Sequence, residues 1–223
     1  MSYHLNSFNF IPLNNGVPQC YGATPDQLIG EICNGEFKYI FPRLELDYQN
    51  NVLVNYNLVC NKPVALIVLE SPHIHEFTNS NNSVTPVGSM MNPSTIKVFN
   101  NNFINLLNNS SLNKFVNSND YNVIIMNSVQ YQCSLGNKLT STNSKEIRDN
   151  NWINCYNSGC KSDLIERISL IKPAIVINLC TKGLKNLQLI LHNDLNHYCA
   201  INNITYTTGS HPCTWNFSYA YII

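Results

Sequence analysis

Nearly continuous apolar runs of strand length recur along the chain: Pro63 to Leu69, Tyr121 to Met126 and Ala174 to Leu179. A fourth strand is read at Ile204-Thr-Tyr-Thr-Thr208. Runs without polar alternation mark strands buried on both faces. Between them lie helical periods. Pro93-Ser-Thr-Ile-Lys-Val-Phe opens a helix reaching about Leu107, and Leu164, Ile165, Ile168 and Ile171 keep helical spacing from about Cys160 until Lys172-Pro173. A further helix is expected over Thr181 to Leu191. Strands alternating with helices predict an α/β fold, a three-layer α/β/α sandwich around a short central parallel sheet.

The N-terminal part reads differently. Thr24-Pro25-Asp26-Gln27 has the form of a helix start, with Leu28, Ile29 and Ile32 as its apolar face and Gly35 as its stop. Val52 to Val59 reads as a strand. Residues 1–62 are therefore expected to add a helix and an edge hairpin to a motif-bearing core over 63–217. The whole chain, 1–223, is read as one domain without repeat or linker. Residues 78–92 and 130–144 are polar loops.

Composition narrows the class. Of the 223 residues 44% are hydrophobic, enough for a full core, and 12% are charged, with formal net charge +0. Asparagine takes the place of charge on the surface. A neutral chain has no overall field to draw it to nucleic acid, although local patches and backbone amides can hold phosphates. Nine cysteines with no paired zinc spacing suggest a reducing compartment, and the polar N-terminus a cytoplasmic protein. No stretch is apolar enough to span a membrane.

Three strands end on polar groups: Glu70, Asn127 and His211. A parallel sheet brings such ends to one edge, where open α/β sheets bind ligands. A carboxylate can orient water or support a developing sugar cation, an amide can pair with a base edge, and an imidazole can stabilise an oxyanion. Plainer roles compete. Glu70 has Arg43 or Arg148 as possible ion-pair partners, Asn127 can be a turn residue, and Trp215 and Phe217 can be core. His73 and His75 with Glu70 or Glu76 lack a third fixed metal ligand. Thr181-Lys182-Gly183 opens a helix whose amides could hold a phosphate.

Five segments in order carry a resemblance. They are Leu69-Glu70-Ser71-Pro72-His73-Ile74-His75-Glu76, Thr85-Pro86-Val87-Gly88, Met126-Asn127-Ser128-Val129, the helix and strand from Asp163 to Ile177, and Ser210-His211-Pro212-Cys213. Together they resemble the uracil-DNA glycosylase superfamily, in its branch with Gly-Glu-Ala-Pro-Gly, Pro-Phe-Val-Gly, Thr-Asn and His-Pro-Ser motifs. The resemblance implies a monofunctional glycosylase that cleaves the N-glycosidic bond of a flipped-out base in DNA and leaves an abasic site. Glu70 and His211 would be catalytic. Ser71, Pro72, His73, Pro86, Gly88 and Asn127 would bind the base. Ser210, Pro212, Thr214, Trp215 and Asn216 would contact DNA, with Trp215 as the apolar wedge that offsets unstacking.

Two departures, His73 in place of glycine and Pro86 in place of the stacking Phe, suggest a pocket for a modified base, as in phage DNA. The branch also carries an iron–sulfur cluster on four cysteines. Cys20, Cys33, Cys133, Cys155 and Cys160 are the candidates here, but the close N-terminal pair is missing, so the chain is read as having no cofactor and no metal. No lysine holds an obvious Schiff-base position. A monomer acting on uracil-containing or modified DNA is expected. A non-catalytic nucleic-acid binding module and a nucleoside or metal-dependent hydrolase are the alternative readings.

Overall fold

The computed structural model describes residues 24–46, 62–72, 77–80, 83–86, 93–113, 117, 119–131, 133, 142–215 and 221–223. The strands are β1 (Gln27–Cys33), β2 (Glu36–Glu45), β3 (Val64–Leu69), β4 (Phe77–Ser80), β5 (Ser83–Pro86), β6 (Tyr121–Asn127), β7 (Ile175–Asn178) and β8 (Thr205–Thr208). The helices are α1 (Pro93–Asn108), α2 (Thr142–Cys155), α3 (Lys161–Ile171) and α4 (Leu187–Ile201). A single π-helical turn, Tyr156–Cys160, joins α2 to α3.

One six-stranded sheet runs in the order β2-β1-β6-β3-β7-β8, and β4 pairs with β5 separately. The block β6-β3-β7-β8 is parallel, whereas β1 runs antiparallel to both β6 and β2. The sheet is therefore mixed, and only its larger part is parallel as expected from the sequence.

Strand alternation divides the core between two faces. Val64, Leu66, Val68, Ile124, Met126 and Val176 pack on one side with Trp152, Leu164, Ile168, Leu187 and Leu191 from α2, α3 and α4. Ala65, Ile67, Ile125 and Ile177 pack on the other with Phe99, Phe103 and Leu107 of α1. This is a three-layer α/β/α arrangement. From β3 the chain crosses by α1 to β6 on one side, then by α2 and α3 to β7 on the other. Connections leaving β3 and β6 thus pass to opposite faces. A crevice opens outside the strands' C-terminal ends at such a switch point.

The helix expected from Thr24 is absent; Gln27–Cys33 is strand β1, buried inside the sheet. A bulge between Leu28 and Gly30 shifts its alternation, so Leu28 joins one core while Ile29 and Ile32 join the other. That shift produces a spacing indistinguishable from a helical face. Gly35 does not stop a helix. Asn34 (φ 53°) and Gly35 (φ 76°) form the tight turn between β1 and β2, the Asn-Gly hairpin signal. Thr142–Cys155 is helical although its first residues read as loop, and α4 begins at Leu187 rather than Thr181. The strand expected over Val52 to Val59 lies outside the described residues. Among the described residues, no helix is long and apolar enough to cross a membrane.

Candidate functional site

Glu70 follows β3 directly, and its backbone is held by three donors. Its carbonyl accepts from the Val129 amide at 3.1 Å, the Ser128 hydroxyl at 2.7 Å and the Trp152 indole at 3.0 Å. Trp152 is fully buried, stacks on Tyr156 with centroids 4.5 Å apart, and also reaches Ser128 Oγ at 3.1 Å. One aromatic side chain of α2 thus ties together the ends of two strands. With its backbone anchored, the Glu70 carboxyl has few directions in which to point.

It points to Arg148. Glu70 is 7% exposed, and its Oε1 lies 3.4 Å from Arg148 Nε and 3.3 Å from the Ser71 hydroxyl. Arg148 is itself gripped by Asp149, with Nε at 2.8 Å and the terminal nitrogen at 2.5 Å from Oδ1. The other Asp149 oxygen accepts the amides of Leu184 at 2.6 Å and Lys185 at 2.9 Å. The turn after β7 therefore gives those amides to the protein's own carboxylate. The helix start considered for a phosphate at Thr181-Lys182-Gly183 is not formed there, because the helix begins at Leu187.

Gly183 makes this packing possible. It has φ +64°, and a Cβ there would stand 2.6 Å from Asp149 Oδ2 and 2.9 Å from an Arg148 nitrogen. Gly183→Ala is expected to cost about 1–2 kcal/mol from the left-handed backbone alone. It also pushes on the carboxylate that aims Arg148, which adds to the loss of stability. Thermal denaturation of the variant beside the wild type checks the effect.

His211 enters from the far side. It precedes the short 3-10 turn Pro212–Thr214, whose amide and hydroxyl at Thr214 both bond the His211 carbonyl. The strand carrying Glu70 and the one leading to His211 are separated by β7, so they lie about 10 Å apart at ordinary strand spacing. The Arg148 charge acts on both side chains. His211 Nδ1 accepts the Cys213 amide at 3.3 Å and lies 3.1 Å from Cys213 Sγ. With Nδ1 used as an acceptor, the neutral ring carries its proton on Nε2 and can donate with it.

The electrostatics separate the two groups. Burial pushes the Glu70 carboxyl above the ordinary 4.5, while Arg148 and hydrogen bonds from Thr181 and Ser71 pull the other way. Burial, then the Arg148 charge, push His211 down from 6.5 to about 4. Burial opposes the charge on Arg148, but Glu70 and Asp149 more than offset it and raise its pKa. At neutral pH the site therefore holds a neutral imidazole beside a carboxyl whose pKa burial has raised.

The signs give a pH profile. A depressed His211 contributes stability present above 6.5 and lost as pH falls toward about 4. A raised Glu70 contributes in the opposite sense: stability is lost as pH rises through its folded pKa. Chemical denaturation across pH 3.5 to 7.5 should show the first slope in the wild type and its loss in His211→Asn.

The other expected site residues are placed less uniformly. Asn127 is buried at 1% exposure. Its position matches Leu69 in register and shares the α1 face with Ile125, whereas Glu70 turns to α2. Its amide donates to Thr24 Oγ1 at 3.4 Å and its carbonyl accepts from Arg167 at 3.1 Å. The expected meeting of acid, amide and imidazole is thus a meeting of acid and imidazole around Arg148, with Asn127 tied into the strand end. Ser71 stays beside Glu70, and Pro72 is buried. Pro86 closes the β4–β5 pair opposite Phe77. His73, His75, Glu76, Gly88, Asn216 and Phe217 lie outside the described residues.

Trp215 is not a wedge. It is 3% exposed, stacks on Phe99 and Phe103 at 5.3 and 6.1 Å, and donates its indole to the Ser210 carbonyl at 2.8 Å. Leaving that core to enter a duplex would forfeit all three contacts. Ser210 exchanges hydrogen bonds with Tyr221, Pro212 is buried, and Thr214 closes the turn, so these residues shape the loop that carries His211.

Of the described cysteines considered for a cluster, Cys33 is separated from the other three. Cys33 sits at the hairpin end of β1, 3.1 Å from Lys62 Nζ, at the sheet edge opposite Glu70. Cys133, Cys155 and Cys160 lie on the α2–α3 side, and Cys20 is outside the described residues. Among the described residues, no group of three or more His, Cys, Asp or Glu is placed to hold a metal ion.

Arg148 and Asp149 are the residues that pattern reading undervalued. In the sequence Arg148 stands out only as one possible ion-pair partner of Glu70, and Asp149 belongs to no motif. No family model matches the chain, and no curated protein or solved structure matches it.

Proposed function

We propose that this chain is a DNA glycosylase that hydrolyses the N-glycosidic bond of a flipped-out uracil or modified base. One observation carries the reading: a buried carboxylate and a neutral, Nε2-protonated imidazole follow the same ends of strands about 10 Å apart, and the Arg148 charge acts on both. Breaking a glycosidic bond builds positive charge on the sugar and negative charge on the leaving base. Glu70 answers the first by supporting the sugar cation or aiming water. His211 answers the second as a hydrogen-bond donor that needs no prior protonation. A nucleoside is long enough to reach from one group to the other.

The turn from Ser210 to Trp215 presents His211 and borders the duplex in this reading, with Trp215 as its internal support. The base is held near Ser71, Pro72 and the end of β6, and no cofactor is required. Incubation with duplexes carrying uracil, and with phage-type modified duplexes, tests the proposal. Release of a free base with an alkali-labile abasic site by the wild type, and none by Glu70→Ala, supports it. Binding without product by both proteins would instead favour a non-catalytic module, and activity on free nucleosides alone a nucleoside hydrolase.

A further inference from the structure

The atom partnering His211 Nδ1 is a sulfur. Cys213 Sγ lies 3.1 Å from Nδ1, and the Cys213 amide at 3.3 Å approaches the same nitrogen. A thiol is a donor only while it keeps its proton. Cys213 is exposed, so reagents reach it from solvent, unlike the buried Cys133, Cys160, Cys180 and Cys199. We propose that the Cys213 thiol is a positioning group for His211, and that its chemical state sets which imidazole nitrogen carries the proton and so regulates the site.

The physics follows from the pair of donors. The amide hydrogen points at Nδ1, so a proton on that nitrogen would oppose it, and the thiol 3.1 Å away can add a second donor. The Nε2–H tautomer is therefore favoured, and so is the neutral ring over the imidazolium. The protein packed against the sulfur and the nearby Glu70 charge push the Cys213 thiol above the ordinary 9.0, although the residue keeps an open side to solvent. The Arg148 charge from α2 acts on the ring and on the thiol, Glu70 at the end of β3 acts on the thiol, and both remain when Cys213 is changed. A small-molecule disulfide would switch the site off. The Cys213 sulfur attacks, the reagent S–S bond breaks, a mixed disulfide forms, and the thiol proton departs with the released thiol. The capped sulfur then accepts but no longer donates.

The inference deepens the glycosylase reading, because it matters to activity only if His211 donates to the leaving base. Its test is independent of activity. Long-range proton–nitrogen spectra of the His211 ring should show an unprotonated Nδ1 in the wild type at neutral pH. Cys213→Ala should raise the His211 pKa by roughly half to one unit and let the Nδ1–H tautomer appear, as expected for one lost hydrogen bond. Cys213→Ser, which keeps a donor, should restore the wild-type spectrum. If the alanine variant fails to fold, a methylthio cap placed on Cys213 of the folded wild-type protein, located by peptide mapping and reversed with reductant, should give the same shift. An Nδ1-protonated ring in the wild type, or a ring unmoved by alanine and by the cap, overturns the inference. A shift of the ring in a protein that excises no base overturns the glycosylase reading alone.

Discussion

Glu70→Gln is expected, on the proposed glycosylase reading, to cripple base excision without unfolding the protein. The expected loss is about 10²–10³ in single-turnover rate, the scale for removing one well-aimed electrostatic group. Stability should stay level or rise at neutral pH. Burial raises the Glu70 pKa despite Arg148, so the ionised carboxylate is a cost to the fold that an amide does not carry. Arg148 keeps two contacts to Asp149, so it is not orphaned. His211→Ala should lose a similar factor, and the double variant less than the product, because both act on one bond-breaking step. Rapid-quench rates with calorimetry on each variant decide the matter. A Glu70→Gln protein that is fully active, or that melts far below the wild type, would show that the carboxylate holds structure rather than chemistry.

Removing Arg167 has the largest expected effect on stability. This residue of α3 is 3% exposed and reaches across the sheet: its guanidinium bonds both Asp26 oxygens at 2.9 and 2.8 Å, Asp163 at 2.8 Å and the Asn127 carbonyl at 3.1 Å. Asp26 is fully buried just ahead of β1. Breaking such a pair from one side leaves a buried charge and costs about 3–5 kcal/mol. Arg167→Met alone should therefore lower the melting temperature by about 10 °C for a domain of this size. Asp26→Leu combined with Arg167→Met should recover much of that loss, since no lone charge remains. Melting curves for the two single variants and the double variant measure the coupling. Additive losses would mean that the pair is solvated and does not pin β1 to α3.

How much of this was legible in the sequence depends on range. β3, β6 and β7 stood out because each is buried along a continuous stretch, and α3 because its buried residues recur at helical spacing; burial writes itself into local hydrophobic pattern. The positions of Glu70 and His211 followed, since polar residues that end such strands fall on one edge once the strands are parallel. The Asn34-Gly35 turn was also legible, as a short signal with a fixed backbone consequence, but the helix-like spacing of Leu28, Ile29 and Ile32 concealed it.

Tertiary structure decided the remainder. Whether Trp215 faces a ligand or the core depends on Phe99 and Phe103, which lie over a hundred residues earlier, and a single aromatic position carries no mark of its neighbours. The orientation of Asn127 depends on Thr24 and Arg167, and the aim of Glu70 on Arg148, Asp149 and the amides after Gly183. Hydrophobic period reports only whether a side chain is removed from water. The direction of a buried polar group is set by partners that the fold brings from elsewhere, because inside a protein each donor and acceptor must find a mate and the nearest one is seldom near in sequence.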